Sequence, residues 1–304
     1  MQDAADEITL RDEEGVLRAD FLHAVEAALE AGDTKTVREL TLDLHEADLA
    51  DLIQLLRPDQ REPLIVALGR DFNAAALSEL DEGVRDQVLE EMPNEAVAEA
   101  LQQLDSDEAV YVIEDLDKQD QTDILAKLPS FERAAIERSL EYPEDSAGRI
   151  MQTDFIAVPP FWSVGQTIDY MRDAEDLPDR FYEVFVVDPS FHLIGSVALD
   201  RLLRSKRPVN IEEIAESEIH PVAVTSDQEE VARTFERYNL TSAPVVDPDQ
   251  RLLGVITADD VVEVIQEEAS EDILRLGAVA GESVSAPVWE TAKHRFIWLF
   301  VNLG

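Results

Sequence analysis

The stretch Val245-Val246-Asp247-Pro248-Asp249-Gln250-Arg251-Leu252-Leu253-Gly254-Val255-Ile256 has a counterpart 59 residues earlier in the chain. The earlier copy contains Val186-Val187-Asp188-Pro189 followed by Leu193-Ile194-Gly195. In both copies an Asp-Pro turn separates two apolar runs, which predicts a pair of antiparallel strands. A strand and a helix are predicted before each pair, and a helix after it. The sequence therefore predicts a duplicated β-α-β-β-α unit whose two copies share one interface.

The elements around each pair of strands have their own signals. In the first copy we expect a strand at 155–158, a helix that Ser163 caps, and a short helix at 200–204. In the second copy we expect a strand at 222–224, a helix over 227–238, and a helix that begins at Ala258.

An acidic segment, residues 259–277, follows the second copy. Read as a helix, it places Asp260, Glu263, Glu267 and Glu271 on one face, and no Lys or Arg occurs between Asp259 and Arg275. Like charges at this spacing cost about 0.2–0.5 kcal/mol per pair. The pattern fits either a site for a hard divalent cation or a solvated acidic face. Ser270 followed by two acids is typical of a helix start, so two consecutive helices are an alternative.

Before the duplicated unit, apolar residues recur at a constant step of 12. They are Leu44, Leu56, Leu68, Leu80, Met92, Leu104, Leu116, Leu128 and Leu140. Twelve residues suffice for one short helix and a turn, so two steps make a helical hairpin. Residues 21–140 are therefore predicted to form an α-solenoid with these residues in its core; the sequence does not determine its hand.

The overall charge restricts the function. The 304 residues contain 67 acidic and 25 basic side chains, a net charge of −42. Such a surface disfavours nucleic acid as a partner and fits cation binding, a general acidic surface, or both. No cysteine is present, which excludes disulfides and thiolate metal sites. No P-loop, GxSxG, HExxH or dinucleotide-binding glycine pattern occurs, so we do not expect an enzyme.

The two ends of the chain differ in character. Residues 1–20 are polar, lack the features of a signal peptide, and are predicted to form a flexible tail. At the other end, Lys293-His294-Arg295 precedes the apolar run 296–304. We interpret residues 291–304 as the start of a first transmembrane helix that continues beyond this sequence. The alternative is a terminal helix packed on the core.

The duplicated unit resembles a pair of CBS domains, on the strength of Pro244-Val245-Val246-Asp247 and Gly254-Val255-Ile256-Thr257. With the helical repeats before it and Glu267-Glu268-Ala269-Ser270-Glu271-Asp272-Ile273 after it, the chain resembles the intracellular part of MgtE-type magnesium transporters. The resemblance implies a multidomain α and α+β fold: a superhelical repeat (N) domain, a tandem CBS pair and a connecting plug helix. The expected ranges are 21–140 for the helical domain, 141–205 and 206–268 for the CBS domains, and 269–290 for the plug helix and linker.

The function that the resemblance implies is intracellular Mg²⁺ sensing. Family members are homodimers joined through their CBS pairs, at the cytoplasmic face of the cell membrane. Mg²⁺ bound between acidic faces of the N, CBS and plug elements favours the closed state of a pore in the same protein's transmembrane domain. No nucleic acid is expected as a partner.

The resemblance also implies which acids bind Mg²⁺. In the last helix they are Asp260, Glu263, Glu268, Glu271 and Asp272. In the second CBS copy they are Asp227 and Glu229. The family's Asp-Asp-Leu-Ala-Asp stretch is matched to residues 95–99, so the helical domain would contribute Glu95 and Glu99.

CBS pairs in general also bind adenine nucleotides such as ATP. The usual Ser or Thr three residues before an Asp is present as Thr257 and Asp260, whereas the first copy has Ala198 and Arg201. An adenine-nucleotide sensor that regulates a membrane effector is therefore the alternative function. A third possibility is a scaffold in which the α-solenoid binds a protein and the carboxylates have no role.

Overall fold

A computed structural model of the chain describes residues 10–12, 15–174, 177–178 and 180–276. These residues form two compact units. The first unit contains residues up to 104 together with 115–128, and the second contains 105–114 and the chain from 129 onward. None of the helices in the described ranges is both long and apolar enough to cross a membrane. The apolar run predicted as the start of a transmembrane helix lies outside the described residues.

The first unit is built of short helices. They are α1 (Ala19–Glu30), α2 (Thr34–Thr41), α3 (Glu46–Leu55), α4 (Pro58–Leu68), α5 (Glu82–Glu91), α6 (Asn94–Leu101) and α8 (Lys118–Leu125). Helices α1, α2 and α4 pack on one another, α5 packs on α4, and α8 packs on α6. The helical repeat predicted from the sequence is thereby confirmed.

The step of 12 is visible in where the helices begin. Helices α3 and α4 begin at residues 46 and 58, and α5 and α6 begin at 82 and 94. In the second unit, α7 (Ser106–Ile113) and α9 (Ser130–Leu140) keep the same step. Of the periodic apolar residues, Leu56, Leu68, Leu80, Met92 and Leu128 are buried, and the other four are half-buried. They lie at or next to helix ends, so every step but one is an α-helix and its turn, as predicted.

One step of the repeat lacks its α-helix. Between α4 and α5 the chain forms two 3₁₀ turns, Gly69–Asp71 and Ala74–Leu77. Gly69 has a φ of +58°, and the side chain of Asn73 accepts a hydrogen bond from the amide of Ala75. Both features favour turns over a continued helix.

Part of the predicted flexible tail is ordered. Arg11 and Leu17 form a β-bridge, Leu17 is buried, and α1 already begins at Ala19. The guanidinium of Arg11 donates to Asp48 and to Asp51 on α3, at 2.7 Å each. This ion pairing, which composition alone could not predict, holds residues 10–12 and 15–18 on the first unit.

The second unit continues with two three-stranded sheets and their helices. The first copy contains β1 (Ala157–Val158), α10 (Val164–Asp173), β2 (Glu183–Val187), β3 (Leu193–Ala198) and α11 (Leu199–Arg204). After α12 (Ile211–Ile214), the second copy contains β4 (Val222–Ala223), α13 (Gln228–Tyr238), β5 (Ser242–Val246), β6 (Leu252–Thr257) and α14 (Ala258–Leu276). In each sheet the central strand pairs parallel to the first strand and antiparallel to the last.

The duplication holds residue by residue in the sheets. Glu183 pairs with Ala198, and 59 residues later Ser242 pairs with Thr257. The two hairpins are joined by backbone bonds from Leu193 to the carbonyl of Gln250 and from Leu252 to that of Phe191. A buried apolar cluster with side chains from both copies includes Phe185, Val187, Leu252 and Val255. The shared interface predicted for the two copies is therefore present.

Helix α14 is continuous from Ala258 to Leu276. The alternative of two helices, with a new one starting at Ser270, is wrong. A serine near the middle of a helix loses the capping role for which it is favoured at helix starts, and here tertiary packing of α14 on α13 outweighs that local preference.

Candidate metal site on helices α7 and α14

Helix α7 is attached to the duplicated unit near its start and after its end. The Ser106 hydroxyl accepts a 2.7 Å hydrogen bond from the amide of Thr153. Beyond the other end, Glu114 pairs with Arg149 at 3.3 Å. Gln152, the residue before Thr153, forms a β-bridge with Val255 in strand β6. These contacts place the first turn of α7 next to the start of α14.

Asp107 and Asp260 are the central residues of this junction. Asp107 lies in the first turn of α7 with only 9% of its surface exposed, and Asp260 lies in the first turn of α14. Among the described residues, nothing donates a hydrogen bond to Oδ1 of Asp107. A buried carboxylate oxygen without a donor is rare in folded proteins, because its desolvation is not compensated.

Thr257 fixes the carboxylate of Asp260. Its amide donates to Oδ2 of Asp260 at 2.6 Å, and its hydroxyl lies 2.9 Å from the same oxygen. The hydroxyl also contacts Asp259, although its single proton can be donated to only one acceptor. Thr257 therefore orients Asp260 at the start of α14.

The ionised form of both carboxyl groups is disfavoured in the folded chain. Burial raises the pKa of Asp107 well above its ordinary value, and the nearby charge of Asp260 raises it further. Burial also raises the pKa of Asp260, and the hydrogen bonds from Thr257 partly offset this. A buried and a half-buried carboxylate side by side cannot both stay ionised without a counter-charge, so the pair must hold either a proton or a cation.

The donor set fits a hard divalent cation. The described residues contain no cluster of three or more His, Cys, Asp or Glu side chains arranged around one metal position. Mg²⁺, however, keeps several waters and is commonly bound through one or two carboxylates. Asp107 and Asp260 supply two carboxylates, and the unpaired Oδ1 of Asp107 is a free ligand atom.

A second group of predicted ligands lies further along α14. Asp227 is the N-cap of α13 and accepts a bond from the amide of Glu229. Gln228 donates to the half-buried Glu268 at 3.0 Å, which brings the start of α13 beside α14. Glu229 is paired with Arg233. The structure thus brings Asp227, Glu229 and Glu268 into one neighbourhood.

The other predicted ligands on α14 differ in what the structure says of them. Glu263 is exposed. Glu271 and Asp272 lie within α14, and their side chains lie outside the described part of the chain. Their role as ligands stays a prediction.

Glu95 and Glu99 lie on α6 in the first unit. Glu95 pairs with Lys127 at 2.6 Å, and this lysine is the main reason that the pKa of Glu95 is lowered. Glu99 is exposed. Glu95 therefore has a protein cation as its present partner, and its role as a Mg²⁺ ligand stays a prediction.

Sequence analysis missed Asp107. The repeat explains why: a shift of one 12-residue step moves Glu95 onto Asp107 and Glu99 onto Tyr111. Both alignments keep an acid at the first position of the motif, and the matching leucines do not distinguish them. The signal that favours Asp107 is its aspartate side chain, which Glu95 lacks.

A small cleft lies between the two copies of the duplicated unit, beside Thr257. It is lined by Asp154, Phe155, Tyr182, Glu183 and Ser242, among others, and its volume is about 20 Å³. Burial raises the pKa of Asp154. At the position equivalent to Asp260 in the first copy, Arg201 is paired with Glu216.

Family profiles match most of the chain. The profile described as the MgtE intracellular N domain matches residues 44–145. The CBS domain profile matches residues 147–207 and 211–267.

Curated relatives agree with these matches. A magnesium transporter MgtE of Thermus thermophilus is 31% identical over 279 residues, which are 91% of this chain and 61% of the relative. One of Enterococcus faecalis is 34% identical over 57% of this chain and 38% of the relative. The chain thus spans about two-fifths to three-fifths of the length of these relatives.

Solved structures share the fold. The crystal structure of the soluble part of a magnesium transporter has a TM-score of 0.72 and 29% identity, covering 82% of this chain and 98% of that one. The cytosolic domain of the Mg²⁺ channel MgtE in complex with ATP has a TM-score of 0.73 and 30% identity, covering 80% and 99%.

Proposed function

Because the chain belongs to the MgtE family and contains its N domain and its pair of CBS domains, we propose that it is an intracellular Mg²⁺-sensing region that gates a magnesium transporter. Mg²⁺ bound between its acidic surfaces favours the closed state of the pore. The observation that carries the proposal is the pair Asp107–Asp260: a buried carboxyl group with an unpaired oxygen, next to a half-buried one.

The mechanism follows from the charges of this pair. When bound, Mg²⁺ supplies the positive charge that lets both carboxyl groups ionise. Asp107 and Asp260 would hold it, Thr257 keeps Asp260 in position, and the contacts of Ser106 and Glu114 hold α7 against the CBS pair. Without a cation, the pair would have to keep a proton, or the two carboxylates would repel each other and favour separation of α7 from α14. Because both helices would be needed to hold the ion, binding would favour the attached over the detached state.

The test is small-angle scattering of the chain during a MgCl₂ titration, with KCl at matched ionic strength as the salt control. We expect the radius of gyration to fall with MgCl₂ more than with KCl, since screening alone acts equally in both salts. Asp107→Asn and Asp260→Asn should each shift the midpoint to higher Mg²⁺ concentration.

The matched control is Asp123→Asn, which removes one exposed carboxylate on α8. Its titration should overlay that of the unmodified chain. Equal midpoints for Asp107→Asn, Asp260→Asn and Asp123→Asn would refute the proposed site, and equal contraction in the two salts would refute specific sensing.

We also propose that the region acts as a homodimer joined through its CBS pairs, at the cytoplasmic face of the membrane and next to its own transmembrane domain. On α14, Val261 and Val264 are buried in the core of the second copy, whereas Val262 and Ile265 are about half exposed. A second molecule of this chain would cover Val262 and Ile265. Sedimentation velocity should show a dimer that Val262→Glu together with Ile265→Glu converts to a monomer.

Adenine-nucleotide binding is the second candidate function. It is supported by the ATP complex of a related cytosolic domain and by the aromatic side chains that line the cleft beside Thr257. The cleft is too small for a nucleoside as it stands, so binding requires it to open. A fluorescent ATP analogue should bind the chain and lose affinity in Thr257→Val; absence of saturable binding would remove this candidate.

A further inference from the structure

The irregular step of the helical repeat leaves a gap in the first unit. Its first turn is held by Arg38, which donates to the carbonyl oxygens of Ala67 and Leu68 and pairs with Asp71. These bonds satisfy carbonyls at the end of α4 that a further helical turn would otherwise use. The chain is thereby fixed in a turn where the repeat would place a helix.

The second turn is drawn toward α3. Residues Ala74–Leu77 pack on α3, and Ala74 and Ala76 are fully buried there. Alanine side chains permit this close approach because they are small. The space that the missing helix would fill therefore remains open on the side of α4, α5 and α6.

A cavity of about 360 Å³ occupies this space. Its buried lining is apolar and includes Phe72, Val88, Met92 and Ala100. At its edge, Val66 is 71% exposed. An apolar cavity of about 150 Å³ accommodates benzene, so this one has room for two bulky apolar side chains.

The charged groups around the cavity are mostly negative. Glu62, Glu91 and Glu99 line it together with a single cation, Arg70. In the described part of the chain, none of the three carboxylates has an ion-pair partner within 4.0 Å. A bound molecule that brings positive charge next to an apolar body would therefore complement this edge.

We propose that this cavity is a docking site for a basic amphipathic helix of another protein. The helix inserts two bulky apolar side chains, spaced as i and i+4, and places Lys or Arg against Glu62, Glu91 and Glu99. Side chains at that spacing lie on one helix face about 5–6 Å apart, which matches a cavity with room for two of them. The inference is independent of the Mg²⁺ site, since Asp107 and Asp260 lie in the other unit.

The probe is a fluorescein-labelled synthetic helix of about 14 residues, with Leu on one face and Lys elsewhere, added to the full chain. A second peptide has the same Leu face with Glu in place of Lys. Fluorescence anisotropy is measured at about 0.15 M and 0.5 M KCl, because nonspecific attraction to so acidic a protein falls steeply with salt. We expect saturable binding of the Lys peptide that persists at the higher salt, and no binding of the Glu peptide.

Two variants locate the binding. Ala96→Phe places a ring at the cavity lining and should weaken binding about tenfold or more, whereas Ala24→Phe, on the exposed face of α1, should not change it. Val66→Lys adds a positive charge at the exposed edge and should weaken binding without disturbing the core. Circular dichroism checks that each variant is folded.

Several results would overturn the proposal. Equal affinities for Ala96→Phe, Val66→Lys and Ala24→Phe would show that the peptide binds elsewhere. Equal binding of the Glu peptide would remove the role of charge. Self-association of the chain that Ala96→Phe abolishes would assign the cavity to a second copy, and displacement of the Lys peptide by decanol but not by unlabelled peptide would assign it to a small apolar molecule.

Discussion

Thr257 and Asp260 are joined twice, by the Thr257 amide at 2.6 Å and its hydroxyl at 2.9 Å, both to Oδ2 of the carboxylate. The bonds leave Asp260 fixed at the start of α14, beside the buried Asp107. A fixed carboxylate cannot turn away from its neighbour when no counter-ion is bound. The folded chain therefore keeps the unfavourable free energy of the two unpaired charges, and this can be measured as a change in the free energy of unfolding.

We expect Asp107→Asn to stabilise the chain when no Mg²⁺ is present. The substitution removes a buried charge and its repulsion with Asp260, and an unsatisfied buried polar group costs about 1–3 kcal/mol. In EDTA, urea denaturation should give a free energy of unfolding higher by about 1 kcal/mol or more. In saturating MgCl₂ the order should reverse, because the unmodified chain alone has both ligands. A variant that is less stable in both conditions would show that Asp107 is an ordinary structural residue.

The same pair predicts a pH dependence. The pKa of Asp107 is raised in the folded chain above its ordinary value of 3.8. The unfolded chain therefore releases this proton first as the pH rises. The stability that protonated Asp107 contributes to the folded chain is fully present below about pH 4. It is lost as the pH rises through the pKa of Asp107 in the folded chain.

Other carboxylates with lowered pKa values, such as Asp169 and Asp188, act in the opposite direction. The difference in unfolding free energy between Asp107→Asn and the unmodified chain isolates the contribution of Asp107. In EDTA this difference should grow between pH 4 and pH 7. A difference that is constant over this range would contradict the raised pKa.

Proton competition at the pair also predicts how Mg²⁺ binding depends on pH. A cation binds the ionised carboxylates, so the apparent Mg²⁺ affinity should fall as the pH is lowered. Isothermal titration calorimetry at two pH values, about 5.5 and about 7.5, should show weaker binding and more proton release at the lower pH. Equal affinities would exclude proton competition at Asp107 and Asp260.

Much of this fold could be predicted from sequence because its signals are local and repeated. The 59-residue duplication predicted the strand pairs around Gly195 and Gly254, and the step of 12 predicted the helical repeat. The features that could not be predicted depend on contacts between residues that are far apart in the sequence. Arg11 orders part of the predicted tail through Asp48 and Asp51, which no local pattern reveals.

Only one of the two central residues of the candidate site could be predicted from the sequence, because the other depends on contacts between distant parts of the chain. Asp260 stands out in an acidic helix that follows a recognisable strand. Asp107 does not, because one acid in a repeat of many acids becomes special only when its helix is packed against another element. Its burial beside Asp260 is a tertiary fact, and the repeat offered Glu95 as an equally good match.

The hairpin turns predict a stabilising substitution. Phe191 and Gln250 occupy equivalent positions in the two copies and have φ values of +66° and +63°. Residues other than Gly lose about 1–2 kcal/mol in this left-handed conformation. Gln250→Gly should therefore raise the free energy of unfolding by about 0.5–1 kcal/mol, allowing for the greater freedom of Gly in the unfolded chain. Asp249→Gly, in the same turn but without a positive φ, should not stabilise, and equal effects of the two changes would disprove the argument.

The bridge between Gln152 and Val255 predicts that Gly254 cannot be replaced. A Cβ on Gly254 would lie 2.5 Å from the carbonyl oxygen of Gln152 and 2.9 Å from Sδ of Met151. Since that oxygen belongs to the backbone segment that supports α7 through Thr153, it can move only by weakening the attachment of α7. Gly254→Ala should lower the free energy of unfolding by about 1–3 kcal/mol and also weaken the Mg²⁺ response. Gly165→Ala is the comparison, because its Cβ would lie 3.1 Å from the backbone oxygen of Arg207, a tight contact but a milder one than at Gly254, and the helical position favours Ala by about 1 kcal/mol. Denaturation and Mg²⁺ titration should show a large loss of stability and Mg²⁺ response for Gly254→Ala and little change for Gly165→Ala. If Gly254→Ala kept its stability and its Mg²⁺ response, close packing at this bridge would not be what holds α7 beside α14.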